Sequence, residues 1–328
     1  MPGEAALYAA CCDIGGTKAL LGLVDAQGTI LARERYLLGQ ERAPQPIVEE
    51  LVARLRRLAA AAGLPWEASV GIGCSAAVMA DVERGIVLSA PNLFGAHQNV
   101  PLRDMLQQMA GRPALIEMDA YAAALGEVWQ GSGVGVDYFV YVVVGTGIGA
   151  GILMHGRVFR GWHGTAGELG HTTIDPDGPL CNCGRRGCLE ALAAGPAIAR
   201  RAQEALQQGR RSMMSELAGT GQVTAGVVFE AARQGDPLAR QIVQEVAGYL
   251  AIGLSNLIHL LNPRVIALGG GVMRGGSYLL LPLLREETAR RCGSWVDMEG
   301  TRIVVAALGE EAGLLGAARL VWMRAASA

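Results

Sequence analysis

The sequence predicts a duplicated α/β fold of two domains around a cleft. Three observations carry that expectation. At 328 residues, 51% hydrophobic and 18% charged, the chain is too long for one compact core and suits two domains of ordinary size. Strand and helix patterns alternate along most of its length. One unit, a strand entering a glycine-rich turn with a threonine and leaving as a second strand, occurs twice, at Asp13–Lys18 and at Gly145–Gly151.

Leu7–Cys12 is a short apolar run ending at Asp13-Ile14-Gly15-Gly16-Thr17-Lys18. Ala19–Val24, a turn at Asp25-Ala26-Gln27-Gly28 and a third run around Ile30–Arg35 complete an antiparallel meander. Pro46–Ala62 has apolar residues at helical spacing (Ile47, Leu51, Leu55, Leu58) and stops at Gly63. Ser69–Cys74 reads as a strand, Leu102–Ala110 as a helix and Ala114–Met118 as a buried strand. Ala120–Gln130 reads as a helix with Asp119 placed to cap it. The second half restarts with the strand Tyr138–Val144, the turn Gly145-Thr146-Gly147-Ile148-Gly149-Ala150-Gly151 and the run Ile152–Met154, which ends at His155-Gly156. Helices fill Pro196–Leu261, with breaks near Gly209 and Gly219–Gly221. The strand Arg264–Leu268 enters Gly269-Gly270-Gly271. A helix over Leu279–Cys292, the strand Arg302–Ala306 and a helix over Ala312–Met323 close the order.

Charge and hydropathy exclude several classes. A net charge of −2 without a basic stripe argues against nucleic acid as a partner. No apolar run is long enough to span a bilayer, so no membrane association is expected. Ala5–Cys12 has no basic segment before it and stops at Asp13, so no signal peptide is predicted and a cytoplasmic protein is expected. Of seven cysteines, Cys11, Cys12, Cys74 and Cys292 sit in or beside apolar runs and read as buried free thiols.

The other three lie in the most informative stretch, Gly167–Glu190. Here Gly167-Glu168-Leu169-Gly170-His171 is followed by Cys181-Asn182-Cys183-Gly184-Arg185-Arg186-Gly187-Cys188-Leu189-Glu190. Four nitrogen and sulfur donors with intervening glycines suit a tetrahedral zinc ion, structural because protein would fill every position. Such an ion would hold two acids, Glu168 and Glu190, near one another. The alternative is a group of buried free cysteines.

Three glycine-rich turns follow strands, at Gly15-Gly16-Thr17, Gly145-Thr146-Gly147 and Gly269-Gly270-Gly271. Glycines let backbone N–H groups approach an anion, and threonine adds a donor. Two such loops could clamp a triphosphate, while any one of them could equally be a tight hairpin. No Walker A pattern is present. Gly145-x-Gly147-x-x-Ala150 fits a loose dinucleotide fingerprint, but a strand follows it where that fingerprint opens a helix.

Taken together these residues resemble the ROK family of sugar kinases, on the actin/hexokinase-like (ASKHA) α/β fold with two domains around a nucleotide and sugar cleft. Asp13–Lys18 matches the first phosphate motif and Tyr141–His171 the family signature. His171, Cys181, Cys183 and Cys188 match the zinc site. Asn262–Gly271 and Ala312–Ala318 resemble the adenosine-side and C-terminal segments. The resemblance covers nearly the whole chain. It implies a smaller domain of residues 1–118 plus 308–328 with the first phosphate loop. Residues 119–307 would form a larger domain with the second phosphate loop, the zinc loop and the adenosine side.

It also implies roles. Asp119 would be the general base that takes the proton of the attacking sugar hydroxyl, consistent with a carboxylate steadied at a helix N-terminus. Asn92, Glu168, His171 and Glu190 would bind sugar hydroxyls, with His171 also a zinc ligand. Asp13, Gly15, Gly16, Thr17, Lys18, Gly145, Thr146, Gly147, Gly149, Gly270 and Gly271 would hold the nucleotide. ATP, bridging Mg2+ and structural Zn2+ are the implied cofactors, and a homodimer is an arrangement common in the family.

Four departures from the family pattern lie on the sugar side. Met118 and Tyr121 replace two asparagines flanking the catalytic acid. Ser75-Ala76-Ala77-Val78-Met79 replaces a Pro-Gly-Pro-Val-Asp loop, and Ala96 stands where a tryptophan is usual. A lost hydrogen bond is worth about 1 kcal/mol, roughly tenfold in affinity. The expectation is a glucokinase-like enzyme. The alternatives are a kinase for another sugar, amino sugar or cyclitol, and a weakly catalytic sugar-binding regulator. Only twelve residues precede Asp13, which argues against the helix-turn-helix carried there by family repressors.

Overall fold

The computed structural model describes residues 6–296 and 298–327. In chain order the first elements are β1 (Tyr8–Ile14), β2 (Lys18–Val24), β3 (Ile30–Leu37), α1 (Pro44–Ala61), β4 (Ser69–Ala76), β5 (Met79–Asp81) and β6 (Ile86–Ser89). Then come α2 (Pro91–Phe94), β7 (Gln98–Val100), α3 (Leu102–Ala110), β8 (Ala114–Met118), α4 (Asp119–Gln130), β9 (Tyr138–Val144), β10 (Ile148–Met154) and β11 (Arg157–Val158). The helices α5 (Leu189–Ala193), α6 (Gly195–Gln207), α7 (Met214–Ala218), α8 (Ala225–Arg233) and α9 (Pro237–Leu261) follow. Last are β12 (Val265–Gly269), α10 (Gly271–Cys292), β13 (Arg302–Val305) and α11 (Ala312–Ala325).

Two compact units result. The first holds residues 1–135, 157–165 and 310–328, and the second holds 136–156 and 166–309. The division therefore falls after α4, not before Asp119, and residues 157–165 join the first unit, which the sequence pattern did not announce. Close packing explains why α4 stays with the N-terminal part. A Cβ on Gly126 of α4 would lie 2.3 Å from the Ala312 carbonyl oxygen, and one on Gly316 of α11 would lie 1.6 Å from that of Ala122. Only glycine lets the two helix backbones approach so closely.

In the first unit the sheet order is β3-β2-β1-β4-β8. β1 is almost entirely buried, which suits a central strand with antiparallel β2 on one side and parallel β4 on the other. β3 alternates between half-buried and exposed positions, as an edge strand does. A second, antiparallel sheet of β5, β6 and β7 had no counterpart in the sequence reading, because its strands are only three or four residues long.

The second unit repeats the design. β9 pairs antiparallel with β10 and parallel with β12, which pairs parallel with β13. α9, 25 residues long, is capped by the Asp236 side chain on the Ala239 N–H at 2.8 Å and ends at Asn262 with φ 44°. Its buried face forms much of this unit's core with β9, β12 and α10. The breaks near Gly209 and Gly219–Gly221 are present, and a third at Gly235 (φ 97°) separates α8 from α9. α10 begins at Gly271 rather than Leu279, running through Gly275, Gly276 and Pro282 despite their low helix propensity. Gly276 has a packing reason, since a Cβ there would lie 2.5 Å from the Phe229 ring. Among the described residues no helix is long and apolar enough to cross a membrane.

Candidate active site

In the first unit the residues singled out by sequence converge on the end of β1. Asp13 is held by Ser75, which ends the neighbouring β4 region and donates its hydroxyl to Asp13 Oδ1 at 2.6 Å. The turn behind it is closed by the Gly15 N–H on the Lys18 carbonyl at 2.9 Å, and Thr17 accepts from the Leu38 N–H at 2.9 Å. Lys18 opens β2, and its Nζ lies 3.4 Å from Glu310. Gly16 is pressed against Asn92 in α2: a Cβ there would come within 2.9 Å of the Asn92 Cβ. From the other side Gly313 of α11 covers the acid, since its Cβ would lie 2.6 Å from the Asp13 carboxyl carbon.

Burial pushes the Asp13 carboxyl up to about 6. The Ser75 hydrogen bond opposes that rise, the nearby Asp119 charge adds to it, and Lys18 lowers it slightly. Asp119 is thus close enough to Asp13 to be felt electrostatically. Its expected capping role needs correction, because Met118 occupies the N-cap and Asp119 is the first helical residue. Asp119 Oδ1 instead accepts the Ala120 N–H at 2.8 Å, so the helix terminus still engages the carboxylate. Of the departing residues, Tyr121 is 2% exposed and Met118 8% exposed, both packed in the core of this unit.

The second unit assembles the remaining candidates. The β9–β10 connection is a hairpin, with Ile148 opposite Val144 and Gly149 opposite Val143, so no helix follows the Gly145-Thr146-Gly147 turn. Gly145 donates to the Gly147 carbonyl at 2.9 Å and accepts from the Gly195 N–H at 2.8 Å. Glu190, in the first turn of α5, reaches this loop: its Oε2 accepts the Ile148 N–H at 3.0 Å, and a Cβ on Gly147 would lie 2.6 Å from that oxygen. The third glycine stretch is adjacent, with the Gly271 nitrogen 3.8 Å from where a Gly145 Cβ would be. Gly270 requires its glycine: φ is 90°, and a Cβ would lie 2.4 Å from the Val144 carbonyl oxygen. Gly269 closes β12, so of the predicted triplet only Gly270 is a turn residue.

His171, Cys181, Cys183 and Cys188 come together with their donor atoms all within 4.8 Å of one another. His171 Nδ1 is 3.8 Å from Cys181 Sγ, and Cys183 Sγ is 3.6 Å from Cys188 Sγ. Zinc bonds of about 2.3 Å to sulfur put tetrahedral ligand atoms about 3.8 Å apart, so this donor set fits the ion. The loop that presents them is held by the Cys181 N–H on the Arg185 carbonyl and the Gly184 N–H on the Cys181 carbonyl, at 2.8 and 2.9 Å. Without metal, the Arg185 backbone N–H and then its side chain draw Cys183 down to about 6, while burial pushes Cys188 up to about 12. Zinc would displace the remaining thiol protons. With Nδ1 turned to the sulfurs, the His171 Nε2 stands 3.9 Å from a Glu168 carboxylate oxygen. The other cysteines, Cys11, Cys12, Cys74 and Cys292, are buried free thiols.

Residues 9–324 match the family model described as the ROK family. The chain belongs to the ROK family. A glucokinase of Thermotoga maritima is 39% identical over 94% of this chain and 95% of its own length. An N-acetylmannosamine kinase of Escherichia fergusonii is 34% identical over 94% of this chain and 96% of its own. Among solved structures, a ROK hexokinase from Thermus thermophilus superposes with a TM-score of 0.84 at 35% identity, covering 98% of this chain and 100% of that one. A ROK family glucokinase from Streptomyces griseus, solved with glucose and AMPPNP, gives 0.80 at 35% identity over 95% and 98%. The actin/hexokinase-like α/β fold expected of a ROK sugar kinase is the one observed.

Three residues near the ROK motifs escaped the sequence reading: Ser75 as the partner of Asp13, Gly313 as its cover, and Arg160. Ser75 and Gly313 could have been suspected, a polar residue ending an apolar strand and a glycine opening a helix. Arg160 carried no signal, because its partner Glu117 is 43 positions away in sequence.

Proposed function

We propose that this ROK family sugar kinase transfers the γ-phosphoryl group of ATP to a hydroxyl of a hexose, glucose before other sugars. The observation that carries the reading is Asp119 in the first turn of α4, electrostatically coupled to Asp13 on the first glycine loop. An acid beside a phosphate-holding loop is where a hydroxyl proton must go as its oxygen attacks phosphorus.

Asp119 accepts that proton, while the N-terminal dipole of α4 favours its charged form. In the first unit the backbone N–H groups of Gly15–Lys18, with the Thr17 hydroxyl and Lys18, suit nucleotide phosphates; in the second, those of Gly145–Gly147 with Gly149, Gly270, Gly271 and the Thr146 hydroxyl do so. Magnesium would neutralise charge on the ATP phosphates, and Asp13 is the carboxylate that would help hold it. In the second unit Glu168, His171 and Glu190 are the side chains suited to sugar hydroxyls, and in the first unit Asn92 beside Gly16 is suited to the same role. His171 would hold zinc through Nδ1, which would leave Nε2 protonated as the hydrogen-bond donor this ring offers.

A second reading, phosphorylation of an N-acetylated amino sugar, is favoured by Met118, an apolar side chain directly before Asp119, and by the N-acetylmannosamine kinase relative. One experiment tests both: ADP release with Mg-ATP over glucose, mannose, fructose, N-acetylglucosamine, N-acetylmannosamine, allose and several cyclitols, with Asp119→Asn as the blank. Turnover highest on glucose supports the first reading, and highest on an amino sugar the second. No turnover on any acceptor by a folded, ATP-binding protein overturns both and leaves a sugar-binding regulator.

A further inference from the structure

Residues 157–165 belong to the first unit although the chain on both sides of them belongs to the second. One half-buried side chain on this excursion, 31% exposed, reaches a fully buried acid. Arg160 forms an ion pair through its terminal nitrogen with Glu117 Oε2, and the Glu117 side chain has no exposed surface. The other carboxylate oxygen, Oε1, accepts the backbone N–H of Met118 at 3.1 Å. Met118 is the N-cap of α4, and the next residue is Asp119. A single buried carboxylate thus joins the arginine of a distant loop to the peptide that starts the helix carrying the acid.

Stability gives a poor account of this arrangement. An ion pair with one partner half-buried and the other fully buried contributes little net stability, and such pairs are commonly replaceable by apolar side chains. The Arg160 Nε is buried with no hydrogen-bond partner, which is itself unfavourable. What the pair does accomplish is geometric. With both oxygens occupied, Glu117 cannot rotate without releasing either the guanidinium or the Met118 N–H.

We propose that Arg160 is a positioning residue for the phosphoryl-transfer reaction, acting through Glu117 to fix the first turn of α4 and hence the direction of the Asp119 carboxylate. The inference rests on the proposed function, with Asp119 as the base. In this role Arg160 acts through Glu117, its ion-pair partner, and not on a reactant directly. Displacing a reacting group by about 1 Å can cost on the order of 10²-fold in rate. The loss should therefore fall on kcat, not on binding.

The test uses Arg160→Met, Arg160→Lys, Glu117→Gln and the double variant Arg160→Met/Glu117→Met, beside wild type and Asp119→Asn. Arg160→Met leaves a buried carboxylate unpaired, which is strongly destabilising, so the double variant, which removes both charges, carries the decision. The expected result is a melting temperature near wild type in the double variant, with kcat about 10–100-fold lower and KM for ATP within about twofold. Arg160→Lys should recover part of kcat, and Glu117→Gln, which keeps the shape, should lose less than the double variant. A folded double variant with wild-type kcat makes the pair structural only and overturns the inference, while the proposed function stands if Asp119→Asn is inactive. Absence of sugar turnover in wild type overturns the proposed function and this inference together.

Discussion

The two halves use the same device, a strand, a glycine turn and a returning strand, but arm it differently. In the first unit the turn after β1 carries its own charges: Asp13 precedes it and Lys18 follows it. In the second, the turn after β9 has no ionisable residue, and its acid arrives from α5 as Glu190, hydrogen-bonded to the Ile148 N–H at 3.0 Å. Each central strand has an antiparallel partner on one side and a parallel one on the other, so the backbone scaffold is shared. A duplicated fold supplies equivalent loops. Chemistry is then divided by where the charges enter, with the acid and its partner in one unit and the histidine–cysteine cluster in the other.

The sharpest way to break that comparison is to disable one half at a time. Asp119→Asn keeps the volume and removes the proposed base, so kcat should fall by about 10²–10⁴ with nucleotide affinity unchanged in a binding titration. Near-wild-type turnover would remove Asp119 from the role. Cys183→Ala, in the other unit, should lose the metal and release His171 and the loop that precedes Glu190. The expected signature is a rise of about 10–100-fold in sugar KM with a smaller change in kcat. Metal analysis and sugar titration check it together, and undiminished sugar affinity in metal-free protein would separate zinc from the acceptor site.

How far the sequence announced this architecture depended on range. Patterns with a short period were legible: the limits of α3, β8 and β9 coincide with those read from apolar spacing. The histidine–cysteine cluster was legible because all four donors lie in one short stretch between His171 and Cys188. The three-stranded sheet of β5–β7 was not, since strands so short have no periodicity to detect. Nor was the start of α10, where Gly275, Gly276 and Pro282 lower local propensity and tertiary packing overrides it. Above all, the Asp13–Ser75 and Glu117–Arg160 partnerships join residues that only the parallel pairing of β1, β4 and β8, or a crossing of the chain, brings together.

A milder test acts on the charge of the first turn. Asp13 is pushed up to about 6, above the ordinary 3.8, so the folded chain keeps this proton where the unfolded chain has lost it. Its contribution therefore favours the fold below pH about 4 and is lost as pH rises through 6, a difference of about 3 kcal/mol. Activity should run the other way, because the ionised carboxylate is the form that would hold magnesium. Ser75→Ala removes a hydrogen bond that lowers the Asp13 value, so the acid limb of kcat against pH should move up by about 0.5–1 pH unit. An unmoved acid limb would assign that limb to a group other than Asp13.

The smallest effect on activity concerns the residues flanking Asp119, and it separates specificity from packing. Tyr121 is 2% exposed within the first unit's core, so Tyr121→Asn should cost about 3 kcal/mol or more in thermal or chemical unfolding and leave the order of preferred sugars unchanged. Met118, at 8%, lies directly before the acid, and Met118→Asn adds a hydrogen-bonding group there. One bond of about 1 kcal/mol would lower the glucose KM by up to tenfold, with the ATP KM unchanged. A fall confined to glucose places Met118 against the acceptor and makes this position a determinant of which sugar is taken. If neither substitution alters the ranking of acceptors, the role passes to the 75–79 segment, where Met79 is 50% exposed and Ser75 is already engaged by Asp13.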